Sequence, residues 1–395
     1  MLFDYYWWRM FDVIVVGAGP AGLYSALLLA EEGFDVAVLE EHAVPGLPTH
    51  CTGVISDELS DLFKVPDTLI LNRPRSCTVV APGGTEVSFS AHGESIAVID
   101  RGQFDAELAL AARRAGVELR TGLRVDQVSV ASTHVSVGGS GARLHARACI
   151  LACGVGYRLH RQLGLGLPSL FLHSAQIETD AVHASMAVEL HMGEQIAPEG
   201  FAWLVPIVRE GQARMKVGLM ARGHAARHLS RFLSRPDVAR RVAAAPRPHV
   251  TRRLLPLGPV RRTFGDRILA VGDAAGLTKP TTGGGIFYSL LSARLAAETL
   301  GEGLRRDQVG EESLSVYESR WRTRLEPHLR ASSYVRRLVS KLTDRELETL
   351  LRALAAEDVQ AVIRATAQFN WHGKMIRSIL GHHGVKSVLL RALLR

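Results

Sequence analysis

The hydrophobic pattern near the start of the chain predicts a strand, a tight turn and a helix in that order. Residues 13–16 are a short apolar run, and the glycine-rich segment 17–22 follows at once. Beyond it, apolar residues recur at helical spacing at Leu23, Ala26, Leu27 and Ala30. A strand that passes through glycines into a helix leaves backbone amides at the helix N-terminus, where phosphate groups bind.

Each glycine of this segment has a separate predicted role. Gly17 allows a tight turn, Gly19 lets the backbone approach a pyrophosphate, and Gly22 permits close packing of the helix on the strand. A second predicted strand, Asp35 to Leu39, ends on Glu40. An acid at this place suits the two hydroxyls of an adenosine ribose and disfavours a 2'-phosphate. Together these features predict a dinucleotide site. The alternative interpretation is a glycine-rich turn that binds no ligand.

A second glycine-rich region, far downstream, indicates which dinucleotide is bound. The apolar run 268–271 precedes Asp273, and residues 281–285 open a long predicted helix. Asp273 is predicted to bind a ribityl hydroxyl. The amides at Gly283 and Gly284 are predicted to face the pyrimidine edge of an isoalloxazine, where negative charge collects on reduction. The two regions together predict FAD.

Two further segments complete the predicted nucleotide domain. The sequence Asp100-Arg101-Gly102-Gln103-Phe104-Asp105 opens a helix. Arg101 is predicted on the phosphate or flavin side, and an ordinary surface arginine is the alternative. Residues 148–153 are predicted to form the last strand of the domain, with Cys149 and Cys153 buried in it.

The middle of the chain has a different pattern. Residues 76–99 and 172–222 alternate apolar and polar positions in places, which predicts antiparallel strands. Residues 227–245 and the chain from about residue 311 are predicted to be helical. The fold class is therefore α/β: a Rossmann-like FAD-binding domain with an inserted antiparallel-sheet substrate domain and a helical C-terminal region. The predicted boundaries are 10–75, 100–170 and 250–305 for the FAD domain, 76–99 and 171–249 for the substrate domain, and 306–395 for the helical region.

Composition limits the class of protein. The chain has 395 residues, 47% of them hydrophobic and 22% charged, which is typical of a globular protein. Its apolar runs fall short of the ~18 residues that a membrane-spanning helix needs. The cysteines at 51, 77, 149 and 153 show no disulfide or zinc spacing, and the adjacent His382 and His383 lack partners at helical spacing. A cytoplasmic protein without a metal site is therefore expected.

The net charge of +8 is concentrated near the C-terminus. Residues 321–395 hold 14 Lys and Arg against 6 Asp and Glu, so the first 320 residues are neutral overall. The last predicted helix places four apolar residues on one face: Val385, Val388, Leu389 and Ala392. Two interpretations stay open, a peripheral contact with the inner face of an anionic membrane or an ordinary packed helix with a solvated basic face. A nucleic-acid partner is not expected, because no nucleic-acid module accompanies the charge.

The first nine residues form an aromatic cluster, with Tyr5, Tyr6, Trp7 and Trp8 ahead of Met10. A nucleotide-binding chain of this type would ordinarily begin at Met10, so this residue is one candidate start of the protein. An aromatic anchor at a membrane interface is the other interpretation of the cluster.

Two segments resemble a known family. Residues 45–56 (PGLPTHCTGVIS), just after the second strand, resemble the cysteine-bearing loop of geranylgeranyl reductases. Residues 201–206 (FAWLVP), followed by Lys216-Val217-Gly218, resemble the tyrosine, tryptophan and Phe-Pro motif that lines their prenyl tunnel. These are FAD-dependent prenyl reductases of the p-hydroxybenzoate hydroxylase-like flavoprotein superfamily. The departures are Phe201 in place of Tyr, Val205 in place of Phe and Lys216 in place of Asn, and they leave the exact prenyl substrate open.

The resemblance implies a reaction and a set of substrate-site residues. The reaction is the saturation of isolated carbon-carbon double bonds in a geranylgeranyl chain carried by a lipid or isoprenoid. Because an isolated alkene accepts hydride poorly, a proton must be delivered as the hydride arrives. Cys51 is implied as the acid or proton relay, and an inert buried thiol is the alternative. Phe201, Trp203 and Pro206 are implied to line the prenyl channel.

The neighbours of Cys51 are expected to be scaffold residues. In an extended loop, His50 and Thr52 would point away from Cys51, because successive side chains alternate in direction.

Other functions are compatible with the same flavin motifs, since one fold hosts many chemistries. A flavin monooxygenase acting as a hydroxylase is the main alternative. A halogenase fits less well because it needs an essential lysine early in the chain, and Lys64 is the only lysine before Lys216. A non-catalytic flavin protein that binds a membrane or a partner through its basic tail is a third class.

The electron donor is expected to be NADPH or a ferredoxin. The sequence contains neither a second dinucleotide motif nor a cysteine set for an iron-sulfur cluster. A donor that binds transiently, including an electron-donor protein, is compatible with both observations.

Overall fold

A computed structural model of the protein describes residues 9–90, 94–182, 187–242 and 249–393. The aromatic cluster Tyr5, Tyr6, Trp7 and Trp8 lies outside the described residues.

The centre of the first domain is a five-stranded parallel layer in the order β18-β11-β1-β2-β8. Four of its strands, β1, β2, β11 and β18, contain continuous buried apolar runs, because helices cover both faces of a parallel sheet. Three further strands, β9, β10 and β17, extend this sheet in antiparallel fashion. The strands are β1 (Met10–Val16), β2 (Val36–Leu39), β8 (Glu118–Arg120), β9 (Gln127–Val130), β10 (Val135–Gly139), β11 (Ala142–Leu151), β17 (Phe264–Gly265) and β18 (Ile268–Ala270).

The helices of this domain begin where their sequences predict. Gly19 caps the first helix with Pro20 in its first turn, and the Asp100 carboxylate caps the second by accepting hydrogen bonds from the amides of Gly102 and Gln103. The predicted Rossmann-like domain is therefore confirmed. The helices are α1 (Pro20–Glu31), α2 (Arg101–Arg114), α3 (Arg158–Gln162) and α6 (Ile286–Arg305).

The last predicted strand of this domain begins and ends earlier than expected, at Ala142 and Leu151. Cys149 is buried in β11, as predicted, but β11 ends at Leu151. Cys153 lies beyond the strand and is half-buried, so the prediction of a buried strand residue is wrong for Cys153. The chain turns after Leu151 because the backbone of Ala152 packs against the glycine turn at Gly17.

The second domain is a seven-stranded sheet in the order β16-β12-β15-β14-β13-β5-β6. It confirms the predicted inserted sheet, in which only the β5 and β13 pair is parallel. Two short helices, α4 (Ala225–Leu233) and α5 (Pro236–Ala239), pack on this sheet. They fall in the segment 227–245 that was expected to be helical, but the helix ends at Ala239. The strands are β5 (Ser76–Val80), β6 (Glu86–Ser90), β12 (Phe171–Asp180), β13 (Ala187–His191), β14 (Phe201–Arg209), β15 (Gln212–Ala221) and β16 (Thr251–Pro256).

A third sheet of three strands connects the two domains. It consists of β3 (Val54–Ser56), β7 (Ile96–Ile99) and β4 (Ile70–Asn72), with β7 in the centre. Residues 96–99 were predicted within the substrate domain, but they pair with strands from the first domain instead. The small sheet therefore fixes the segment that follows Cys51 between the two larger sheets.

Five helices form the C-terminal region, which is helical from Glu311 as predicted. Val385, Val388 and Leu389 are buried in a cluster with residues of the other C-terminal helices, so the packed-helix interpretation is confirmed for this face. Within the described part of the chain, every helix is too short or too polar to cross a membrane. The helices are α7 (Glu311–Val339), α8 (Asp344–Ala355), α9 (Glu357–Thr366), α10 (His372–Leu380) and α11 (His383–Leu393).

Helix α7 is anchored to the first domain by two buried aromatic side chains. The Tyr317 hydroxyl donates to the carbonyl of Ala270 at 2.9 Å, and the Trp321 indole N–H donates to the Thr263 hydroxyl at 2.9 Å. Both aromatic side chains are fully buried. These contacts hold the C-terminal region against the end of the parallel sheet.

Replacing Trp321 by Ala is expected to lower the free energy of unfolding by about 3–5 kcal/mol, because it empties a buried site and leaves the Thr263 hydroxyl without its donor. Equilibrium urea unfolding followed by circular dichroism measures this change. Arg330, also on α7, is 77% exposed, and Arg330→Ala is the matched control, expected to change stability by less than about 0.5 kcal/mol. Equal effects of the two substitutions would contradict the anchoring role.

Candidate functional site

A cavity of about 710 Å³ lies between the inserted sheet, the small three-stranded sheet and the C-terminal helices. The loop before β3 and the inserted sheet form one side, and the loop before α6 and helices α7–α11 form the other. The wall is mainly apolar. Besides Cys51 and Cys77, five charged or titratable residues border it: His50, Glu94, Lys279, Arg364 and His372.

The first glycine turn has the shape of a phosphate-binding loop. Gly17 has a φ of +106°, and a Cβ there would lie 2.4 Å from the carbonyl oxygen of Ala152. A Cβ on Gly22 would lie 2.0 Å from the Gly17 carbonyl oxygen, so both positions require glycine. A Cβ on Gly19 would meet nothing within 4 Å. The loop is thus closely packed on its inner side and open on the outer side, which fits the pyrophosphate of a dinucleotide.

Glu40 lies beside this loop at the end of β2. Its carboxylate accepts hydrogen bonds from the amide of Ala18 at 2.8 Å and from the amide of His42 at 2.9 Å. The acid is therefore held against the glycine turn, and both of its oxygens bind backbone donors. Binding of ribose hydroxyls by Glu40 stays a prediction.

The downstream glycine region is adjacent to the first one. A Cβ on Gly272, where φ is +59°, would lie 3.0 Å from the Cβ of Ala21 in α1. Asp273 follows, and its Oδ1 lies 3.1 Å from the position of a Cβ on Gly285, the N-cap of α6. Asp273 and the residues around Gly283 and Gly284 therefore meet at one place, and Gly283 and Gly284 also border the cavity. This arrangement fits the flavin half of FAD.

Cys51 borders the cavity and is half-buried. Its sulfur accepts a hydrogen bond from the amide of Gly53 at 3.3 Å. The Arg101 guanidinium faces the same thiol and forms an ion pair with Asp105 at 2.8 Å. Burial acts to lower the pKa of Arg101, but the Asp105 carboxylate and the Cys51 thiol outweigh it and raise that pKa. With a side chain only 14% exposed, Arg101 is not the surface arginine of the alternative interpretation.

Lys216 is a buried lysine beneath the Cys51 loop. Its ammonium donates to the carbonyl oxygens of Thr52 at 2.8 Å and Ile99 at 3.5 Å. Burial lowers its pKa, while the Cys51 thiol acts in the opposite direction. In the sequence Lys216 stood out only as a departure from the family motif. The useful signal was a lysine within the apolar strand β15.

His50, Cys51 and Thr52 all border the cavity. That His50 and Thr52 point away from Cys51 stays a prediction. The Thr52 hydroxyl donates to the side-chain oxygen of Gln176 at 3.0 Å, and the Trp203 indole N–H donates to the same oxygen at 3.2 Å. Gln176, which sequence reasoning did not find, therefore connects the Cys51 loop to the aromatic wall.

Two aromatic residues of the inserted sheet reach the cavity, and their role as the wall of a prenyl channel stays a prediction. Phe201 and Trp203 both border it, with ring centroids 6.0 Å apart. A Cβ on Gly218, which lies opposite Trp203 in the sheet, would come within 2.6 Å of the indole. Pro206 is buried but is not among the residues that border the cavity, and its carbonyl accepts a hydrogen bond from Asn72.

The C-terminal helices supply a large share of the apolar wall, which the sequence did not predict. The side of the cavity opposite the inserted sheet is bordered by residues from all five helices, including Val339, Leu351, Ile363, Ile376 and Leu389. The C-terminal region is therefore part of the site itself.

Fold and site together define a Rossmann-like dinucleotide-binding protein with an inserted sheet and a long apolar cavity beside its nucleotide loops. A family model described as an NAD(P)-binding Rossmann-like domain matches residues 15–59. Among solved structures, a geranylgeranyl bacteriochlorophyll reductase-like protein from Thermoplasma acidophilum aligns with a TM-score of 0.84 at 20% identity, over 96% of this chain and 98% of that one. The halogenase PltM in complex with phloroglucinol and FAD aligns with a TM-score of 0.67 at 17% identity, over 96% and 90% of the two chains.

Sequence relatives identify the family. Digeranylgeranylglycerophospholipid reductase 2 of Methanopyrus kandleri is 32% identical over 380 residues, covering 90% of this chain and 93% of the relative. The protein of the same name from Methanothermobacter thermautotrophicus is 30% identical over 371 residues, covering 89% and 94%. The chain belongs to the digeranylgeranylglycerophospholipid reductase family. The predicted family, and with it an enzyme of the reductase type, is confirmed.

Substitutions at two glycines test the packed side and the open side of the first loop independently. Gly22→Ala is expected to lower both the melting temperature of the apoprotein and FAD affinity, because its Cβ would overlap the Gly17 carbonyl. Gly19→Ala has room and an ordinary φ of −77°, so the apoprotein is expected to melt normally. Its FAD affinity is expected to fall at least tenfold, or about 1.4 kcal/mol. Thermal melting and flavin fluorescence titration measure the two effects, and normal FAD affinity in Gly19→Ala would place the pyrophosphate elsewhere.

Proposed function

We propose that the protein is an FAD-dependent reductase that saturates carbon-carbon double bonds of a geranylgeranyl chain carried by a lipid. The observation that carries the proposal is the apolar cavity, which connects the Cys51 loop and the glycine loop before α6 to the C-terminal helices. The relatives from Methanopyrus and Methanothermobacter are named as reductases of digeranylgeranylglycerophospholipids, a substrate with long prenyl chains.

The composition of the wall suits a long hydrocarbon chain. On the sheet side the cavity is bordered by Val188, Leu190 and Trp203, and on the helix side by residues such as Leu351 and Ile376. Each buried CH₂ group contributes about 0.8 kcal/mol to transfer from water, so a prenyl chain can bind tightly through apolar contact alone. The same wall excludes water from the reacting bond.

The residues around Cys51 would hold and protonate the alkene. Bound FAD would supply the reducing equivalent to one alkene carbon, and the Cys51 thiol would deliver a proton to the other. Lys216 holds the loop through the Thr52 carbonyl, and Arg101 faces the sulfur from the opposite domain. Both cations would stabilise the sulfur after it has lost its proton, until solvent restores that proton.

The electron donor and the membrane contact belong to the same proposal. NADPH or a ferredoxin would reduce the FAD between turnovers.

A substrate with two prenyl chains resides in a membrane, and the C-terminal region carries exposed basic side chains at Arg364, Lys374, Arg377 and Lys386. Such side chains are attracted to anionic lipid head groups, which supports a peripheral contact at the inner membrane face.

The alternatives have less support from the geometry. Lys64, the candidate essential lysine of a halogenase, is exposed and does not border the cavity. The likeness to halogenase PltM is one of fold, and fold does not decide chemistry. A hydroxylase would oxidise NADPH in the presence of oxygen and an aromatic substrate.

Anaerobic incubation of the FAD-loaded protein with dithionite and a digeranylgeranyl phospholipid is expected to add hydrogen to the lipid in successive pairs. Mass spectrometry of the extracted lipid measures this addition, and protein without dithionite is the control. Unchanged lipid together with flavin that is reoxidised only by oxygen would contradict the reductase proposal and support a hydroxylase.

Replacing Cys51 by Ala is expected to retain FAD and to slow alkene reduction about 100-fold or more, because the proton donor is lost. Cys77→Ala is the matched control, since Cys77 borders the same cavity and its pKa is raised to about 11 by burial and by Glu189. Single-turnover reoxidation of reduced FAD by the prenyl lipid gives both rates. A Cys51→Ala rate equal to that of unaltered protein would remove Cys51 from the mechanism.

A further inference from the structure

Lys279 lies in the loop that leads into α6 and has no role in the reaction described above. It closes a tight turn with the glycines of that loop: its amide donates to the Gly284 carbonyl at 2.9 Å, and its carbonyl accepts from the Gly283 amide at 2.8 Å. Its Nζ lies 3.6 Å from the position of a Cβ on Gly284. Lys279 is only 5% exposed, and it borders the cavity. The ammonium is therefore held against the loop predicted to face the isoalloxazine.

The partners of this ammonium are neutral. Nζ donates to the Phe369 carbonyl at 3.0 Å and to the Asn370 side-chain oxygen at 3.2 Å, and it lies 4.0 Å from the centre of the Phe369 ring. Among the residues that the structure describes, no carboxylate lies within ion-pair distance of Lys279. A buried charge without a counter-charge is costly, so a bound anionic group beside it would be strongly stabilised.

The segment that binds Lys279 is itself fixed. The Asn370 amide donates to the Ser56 hydroxyl at 2.9 Å, and the Phe369 amide donates to the Glu94 carboxylate at 2.8 Å. These contacts join the C-terminal region to the strand after the Cys51 loop. Lys279 is consequently positioned by a rigid surrounding and does not adapt freely to a ligand.

We propose that Lys279 places a positive charge at the pyrimidine edge of bound FAD and thereby raises its two-electron reduction potential. The inference rests on the proposed binding of FAD. Negative charge collects on that edge when the flavin is reduced, and the N-terminus of α6 stabilises it there as well. The N-terminus of α6 carries a partial positive charge, and the ammonium of Lys279 adds a full positive charge beside it. Because water is excluded from the site, both charges act strongly.

The charge on Lys279 depends on pH near neutrality. Burial lowers the pKa of Lys279 to about 7, while the carboxylates of Glu58 and Glu94 act to raise it. His372 also binds the Phe369 carbonyl, and burial together with Lys279 lowers the pKa of His372 to about 3, so it is neutral there. The charged or titratable side chains packed around this turn are Glu58, Glu94, Tyr288, Arg336 and His372.

The sign of the effect follows from this pKa. Below about pH 7 Lys279 is protonated, and the added charge favours the reduced flavin. Above that pH the amine is neutral and the stabilisation is lost. The reduction potential is therefore expected to fall with pH more steeply around neutrality than in a protein that lacks Lys279.

The test is a spectroelectrochemical titration of the FAD-loaded protein between about pH 5.5 and about pH 9. In Lys279→Met and Lys279→Gln, the equilibrium constant for reduction at the acid end is expected to fall at least tenfold, which is about 30 mV for a two-electron couple. At the alkaline end the variants and the unaltered protein should agree. Lys374→Met, at an exposed lysine on α10, is the matched control and should follow the unaltered protein throughout.

A second variant tests the electrostatic origin of the effect. Glu94→Gln removes a carboxylate that raises the pKa of Lys279, yet the new amide oxygen can still accept from the Phe369 amide. The steep part of its potential curve is expected to move to lower pH. The pH dependence of the reduction potential of Glu94→Gln can be measured even if both Lys279 variants lose FAD. If its steep part lies at the same pH as in the unaltered protein, the proposal is overturned.

The outcomes separate this inference from the proposed function. An unaltered protein that binds no FAD would overturn the proposed function. An unaltered protein that binds FAD, with Lys279 variants whose potentials match it at every pH, would overturn only the role of Lys279.

Discussion

Close backbone packing at the carboxyl edge of the parallel sheet is the constraint on which the rest of the structure depends. The glycine turn after β1 lies against the backbone of Ala152, and Gly272 lies against Ala21. Gly276 approaches Gly258 in the same way, with a Cβ position only 2.1 Å from its carbonyl oxygen. Side chains at these positions would separate the two glycine regions. Because the regions meet, the two halves of a dinucleotide can be bound by parts of the chain far apart in sequence.

Buried cations organise the site around this edge. Lys216 and Lys279 both donate to backbone carbonyls in place of carboxylates, and burial lowers the pKa of each. Arg101 differs, since it is paired with Asp105. Lys216 and Lys279 each connect segments from different regions of the fold, so the loop geometry and the electrostatics of the cavity have the same origin. This is why the C-terminal region, which contacts Lys279 through Phe369, cannot be regarded as an appendage.

Sequence reasoning succeeded where a function depends on neighbouring residues. The turn at Gly17 and the helix that begins after Asp100 follow from local patterns, and the structure has them as predicted. Sequence reasoning failed at Cys153, where a strand was predicted to continue and β11 ends at Leu151 instead. Arg101 is buried in an ion pair with Asp105, a partner that the sequence did not indicate.

By itself, the sequence determined the Rossmann-like domain, the inserted sheet, the family and the loop that carries Cys51. The first two follow from glycine spacing and apolar periodicity, and the family and the Cys51 loop follow from the resemblance of residues 45–56 and 201–206 to family motifs. All of these signals act over a few residues and leave a local signature. Only the tertiary structure decided that Gln176 joins Thr52 to Trp203, that Lys216 lies under the Cys51 loop and that Lys279 meets Phe369. The partners in these contacts come from distant parts of the chain. Their meeting depends on how the sheets and helices pack, and no local pattern records it.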